Sequence, residues 1–177
     1  MKRNWIVLAI VAVLAGGAVY QHMGELARQS ALPADSAPKV GFIAPAVELT
    51  ALDGAAYRVG GERDKPLLIN FWASWCIPCQ IEAPDMQTLY EKFAGQFDLY
   101  GINVTSQDTR KEAEAFVKQY GFTFPILLDQ EGSALASYRF QSIPTSFLVD
   151  RNGKITDIFH VLEPAELEKK LTRLLNG

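Results

Sequence analysis

Leu67-Leu68-Ile69-Asn70-Phe71-Trp72 is a nearly continuous apolar run, as expected of a central strand buried on both faces. Shorter apolar stretches at Val47 to Leu49 and Tyr57 to Val59 flank the turn residues Asp53-Gly54 and predict a small strand pair. From Pro78 to about Phe93 the pattern turns helical, with Ile81, Met86, Leu89 and Phe93 on the expected apolar side. A strand is expected at Leu99 to Val104. An amphipathic helix follows at Arg110 to Tyr120, with Gly121 placed to end it in a left-handed turn. Next come a strand at Phe124 to Leu128 and a short helix at Ser133 to Tyr138. Thr145 to Val149 and Ile155 to Phe159 read as a hairpin across Asp150-Arg151-Asn152-Gly153. Pro164 can then open a last helix reaching about Leu175. This alternation predicts an α/β fold with a mixed central sheet flanked by helices.

The first twenty residues follow another rule. Lys2 and Arg3 precede an uncharged apolar run from Trp5 to Tyr20, the pattern of a signal anchor, or of a signal peptide cut after Ala18. Basic residues on the N-terminal side favour an orientation with that end inside the cell. The expected organisation is a transmembrane anchor at 1–20, a flexible Ala-, Ser-, Pro- and Gln-rich linker at 21–38, and one domain at 39–177. The expected location is a bacterial cytoplasmic membrane, crossed once, with the domain on the extracytoplasmic (periplasmic) side.

Composition narrows the function. The 49% apolar and 21% charged residues suit one ordinary core, and a net charge of −3 argues against a nucleic-acid partner. There are only two cysteines, Cys76 and Cys79, so neither a disulfide-stapled scaffold nor a four-cysteine zinc ribbon fits. Residues three apart on a helix share a face, so two such thiols can join. At a helix N-terminus the first sulfur also meets unpaired N–H groups and the positive end of the dipole, which favour its thiolate. Cys76 is therefore the expected nucleophile and Cys79 the expected resolving thiol. Pro78 has no N–H to waste in the first turn.

Asn70 through Cys79, followed by Ala83-Pro84, resembles the active-site segment of the thioredoxin superfamily, and Ile143-Pro144-Thr145 resembles its cis-proline loop. Asn70 stands where cytosolic thioredoxins carry a buried aspartate. Glu82 matches a glutamate of the membrane-anchored TlpA/ResA/CcmG-type proteins. The strand and helix at 124–138 resemble the extra pair that these proteins insert before the cis-proline loop. The resemblance spans about Gly41 to Leu175 and implies a thiol–disulfide oxidoreductase. Its group reduces extracytoplasmic protein disulfides, often of apocytochrome c, and is recharged by a membrane electron donor. It implies no cofactor beyond the redox-active pair and no metal. It also implies proton handling by Glu82 and substrate contact by Trp75, Pro78, Ile143, Pro144 and Thr145.

Plainer readings stand beside these. Trp72 suits core packing as well as function. Glu82 on its own reads as a solvated helix residue, and Pro84 as a helix kink. Glu112 and Glu114 with Lys111 and Lys118 read as a wet helix face. A copper-delivering relative would want a further soft or imidazole ligand, and His160 is the only histidine in the domain. A thiol peroxidase would carry Thr before a lone cysteine, which Ser74-Trp75-Cys76 does not provide.

Overall fold

The computed structural model describes residues 36–176, together with the helical Gly16 and Gly17. The rest of the expected anchor, and the linker up to residue 35, lie outside the described residues. Just before the expected domain start, Ser36 bridges Ile43, and the Ala37 N–H donates to the Ile43 carbonyl.

Seven strands form one sheet: β1 (Val47–Ala51), β2 (Ala56–Val59), β3 (Leu67–Trp72), β4 (Asp98–Asn103), β5 (Ile126–Leu128), β6 (Thr145–Val149) and β7 (Ile155–Phe159). Among the described residues from 36 on, four helices accompany them: α1 (Ile77–Lys92), α2 (Arg110–Tyr120), α3 (Ser133–Tyr138) and α4 (Pro164–Asn176). The spatial order is β2-β1-β5-β4-β3-β6-β7. β3 pairs parallel to β4 and antiparallel to β6, so it is hydrogen-bonded on both sides. The mixed sheet with its flanking helices is the expected thioredoxin-like α/β fold, including the β5–α3 insert before the loop at 142–145.

All six residues of β3 are buried. Side chains alternate along a strand. Leu67, Ile69 and Phe71 therefore pack with Leu127, Tyr138, Phe147 and Val149 on one face, while Leu68 and Trp72 join Met86, Leu89, Phe116 and Leu148 on the other. Asn70 shares the second face, which is the one α1 covers. Trp72 is a packing residue: it is 2% exposed, its ring lies 4.4 Å from that of Phe116, and its Nε1 has no partner. Gly101 makes this close approach workable, because a Cβ there would stand 2.9 Å from the Phe124 ring and 3.2 Å from Trp72 Nε1.

On α1 one expectation fails. Ile81 is 66% exposed, because the buried stripe runs through Cys79, Glu82, Ala83, Met86 and Leu89 instead. The helix also continues through Pro84, whose carbonyl accepts a hydrogen bond from the Thr88 hydroxyl at 2.9 Å. Gly121 ends α2 in the left-handed region at φ 66°, as its position predicted.

Candidate redox site

β3 ends at Trp72, and the chain turns through residues 73–75 into α1. Cys76 caps this helix with extended backbone, and its Sγ accepts the Cys79 N–H at 3.2 Å. The sulfur thus takes the place of a capping oxygen, beside one of the orphan donors of the first turn. Cys76 and Cys79 are joined as a disulfide, with exposures of 4% and 2%. Around this near-buried pair Trp75, Ile77 and Ile81 are more than half exposed, and Pro78 is exposed too. Large apolar side chains left wet in this way are unusual on and beside a helix that buries Ala83, Met86 and Leu89. Trp75 is not loose, since its indole N–H donates to the Gln107 carbonyl at 3.0 Å.

The expected loop at Ile143-Pro144-Thr145 lies at the same end of the sheet. The Ile143–Pro144 bond is cis. Thr145 stands opposite Phe71, the last paired position of β3 and β6, so the loop before it leaves the ladder at the end where β3 runs on towards Cys76. No hydrogen bond joins the Ile143 N–H or C=O to any described residue. A groove of about 340 Å³ runs between Trp75 and Ile143, lined also by Gln107, Leu135 and Phe140. Thr145 is placed behind the loop rather than in the groove. It is 2% exposed, and its hydroxyl donates to the Ser142 carbonyl at 2.6 Å.

Glu82, one helical turn beyond Cys79, is buried at 6% exposure, so the solvated reading fails. Its Oε1 accepts from Asn70 Nδ2 at 2.7 Å, and the other amide proton of Asn70 goes to Ser146 Oγ at 3.0 Å. Burial pushes the Glu82 carboxyl up to about 7; the Asn70 bond opposes this and Asp85 adds to it. Its other oxygen makes no hydrogen bond to a described residue. An acid whose carboxyl is pushed up towards neutrality by burial, one helical turn beyond Cys79, is suited to holding and releasing a proton.

The same shift has a consequence for stability. The unfolded chain loses this proton near 4.5 and the folded one near 7, so the folded state binds more protons in between. Stability must then fall as pH rises through that window, by on the order of 3 kcal/mol. Urea unfolding of the oxidised protein across this range is expected to show the loss, and Glu82→Gln is expected to remove it. Parallel profiles for the two proteins would mean that Glu82 is not held neutral by burial.

A second network braces the turn before Cys76. Asp108 accepts from the Ser74 N–H and Ser74 hydroxyl at 2.7 Å each, and from Asn103 Nδ2 and the Thr109 N–H at 2.8 Å each. Burial alone would raise this carboxyl, but the bonds from Ser74, Asn103 and Thr109 outweigh it and hold it below the usual range. Gln80 closes the turn from the helix side by donating to the Ser74 carbonyl at 2.9 Å. Asp108, Asn103, Ser146 and His160 belong to no motif. The one local cue is Asp108-Thr109 before α2, and it reads only as a helix cap. The wet face of α2 is as expected, with Arg110 and Glu114 paired at 2.7 Å on its surface. No group of three His, Cys, Asp or Glu side chains is placed to hold a metal ion among the described residues.

Comparison with known proteins agrees with this geometry. The model of the AhpC/TSA family matches residues 40–158. The chain is 33% identical to the thioredoxin-like protein YneN of Bacillus subtilis, over 97% of this chain and 98% of that one. It is 36% identical to the thiol-disulfide oxidoreductase ResA of Geobacillus kaustophilus, over 70% of each. Among solved structures it is similar to a putative thiol:disulfide interchange protein DsbE from Chlorobium tepidum. That match has a TM-score of 0.69 and 29% identity, over 77% of this chain and 98% of the other.

Proposed function

The chain belongs to the AhpC/TSA family, as a thioredoxin-like thiol–disulfide oxidoreductase, and from that premise we propose that it reduces protein disulfides outside the cytoplasm. The observation that carries this reading is the Cys76–Cys79 bond at the N-terminus of α1, next in sequence to Trp75, which lines one groove with Ile143, whose backbone is unpaired. An extended peptide can pair with that free N–H and C=O, as strands add to an open sheet edge. Trp75, Ile77, Pro78 and Ile81 then supply its apolar contact.

The electrons follow from the chemistry of the pair. In the reduced protein the Cys76 thiolate attacks one sulfur of the substrate disulfide, forming a mixed disulfide and releasing the other sulfur as a thiolate. Glu82 in its ionised form takes the proton of Cys79, which attacks Cys76 Sγ. The substrate–Cys76 bond breaks, the second substrate thiolate leaves, and the Cys76–Cys79 disulfide forms. Two electrons pass to the substrate, and its two thiolates take up one proton released again by Glu82 and one from solvent, which received the Cys76 proton when its thiolate formed. A donor of two electrons must then reopen the bond, and an electron carrier in the membrane fits a domain anchored there.

Location and client complete the proposal. Lys2, Arg3 and the apolar run to Tyr20 support a single anchor with the domain on the extracytoplasmic side. The resemblance of the segment Asn70 through Cys79, and of Glu82, to the TlpA/ResA/CcmG-type group supports the Cys-x-x-Cys-His segment of apocytochrome c as client. A membrane-impermeant thiol reagent, added to intact cells after mild reduction, is expected to label Cys76 and Cys79, and a high-salt wash is expected to leave the protein on membranes. Labelling only after lysis would place the domain inside. Release by salt would remove the anchor.

A further inference from the structure

His160 follows the last residue of β7, and the pairing of Ser146 with Phe159 sets it opposite Thr145. Its Nδ1 lies 2.8 Å from the Pro144 carbonyl and 3.2 Å from Thr145 Oγ1, while Thr145 Oγ1 lies 2.6 Å from the Ser142 carbonyl. Carbonyl oxygens only accept, so one proton assignment satisfies all three contacts. The single hydroxyl proton of Thr145 goes to Ser142. Nδ1 carries the ring proton and shares it between the Pro144 carbonyl and the Thr145 oxygen. The two clamped carbonyls, of Ser142 and Pro144, lie on either side of Ile143, whose own N–H and C=O are unpaired and beside the groove.

We infer that His160 is a positioning residue for the substrate. By donating from Nδ1 it fixes the 142–145 loop, so that the Ile143 backbone is presented in one orientation to an incoming peptide. The role rests on the disulfide-exchange reading above. A free edge held in place loses less entropy on pairing than one that must first be ordered. The effect should therefore fall on peptide binding and spare the chemistry of the cysteines.

The test uses the full-length protein and two disulfides: insulin, which offers a peptide backbone, and bis(hydroxyethyl) disulfide, which offers none. His160→Ala is expected to raise KM for insulin about tenfold, with kcat and small-disulfide turnover unchanged. His160→Asn, whose Nδ2 can donate from nearly the same place as Nδ1, is expected to restore most of the loss. His160→Gln, whose amide reaches one bond further, is not. Equal behaviour of the Asn and Ala variants, or an equal loss on both disulfides, would overturn the assignment. Proton–nitrogen spectra of the neutral ring give an answer independent of turnover. They are expected to show Nδ1 protonated, and a proton on Nε2 instead would overturn it. Wild-type protein inert to both disulfides, with Nδ1 protonated, would instead fault the disulfide-exchange reading.

Discussion

Cys76→Ser is expected to lower kcat/KM for a protein disulfide by roughly a thousandfold or more, leaving no measurable exchange. A hydroxyl has no appreciable anionic form near neutrality, so attack on a disulfide sulfur stops at its first step. The fold should persist, because serine is a good N-cap and its Oγ can accept the Cys79 N–H now accepted by Sγ. The fair reference is the reduced wild type, since the variant cannot close the 76–79 bond. Thermal unfolding close to that reference, together with lost turnover, separates chemistry from folding. Substantial residual turnover would move the nucleophile to Cys79.

Cys79→Ala is expected to do the opposite to the intermediate: it should accumulate. Cys76 can still attack, but the internal thiol that releases the substrate is gone. With only two cysteines in the chain, every adduct of this variant must sit on Cys76. Cells expressing it are expected to show reductant-sensitive bands of higher mass, at least about tenfold more abundant than with Cys76→Ser. That contrast follows from the cap, because Cys76 opens the helix with its Sγ beside the Cys79 N–H while Cys79 lies within the helix. Equal trapping by the two variants would reverse the roles. Trapped proteins carrying Cys-x-x-Cys-His would establish the apocytochrome c client, and a broad set lacking it would make this a general reductase.

Much of this could be read from the sequence where local pattern and tertiary burial agree. The run 67–72 predicts its strand to the residue, because a strand buried on both faces has no polar side to blur it. The strand at 124–128 is shorter than its apolar pattern. Pro125 has no N–H for the ladder, and β5 begins only at Ile126. Helix α1 misleads for a reason tied to function. Its buried stripe spends two positions on Cys79 and Glu82, while Ile77 and Ile81 are left wet round the disulfide. Apolar periodicity therefore places Met86 and Leu89 correctly and misplaces Ile81, as it does where a site breaks the pattern of its own element. The bracing contacts were not legible at all. Ser74 meets Asp108 from 34 residues away and Asn70 meets Ser146 from 76. Only the sheet register and loop placement bring them together. The Cys76–Cys79 pair was legible because its chemistry is local.

The most direct measurement is a count of thiols. Reduced wild-type protein is mixed with excess insulin, quenched in acid, alkylated, and both partners are weighed by mass spectrometry. One substrate disulfide opened for each Cys76–Cys79 pair closed, with Cys76→Ser opening none, is the result expected of a two-electron exchange at this pair. A pair that stays reduced while insulin stays oxidised would contradict the account, and so would insulin reduced without any Cys76–Cys79 bond being formed.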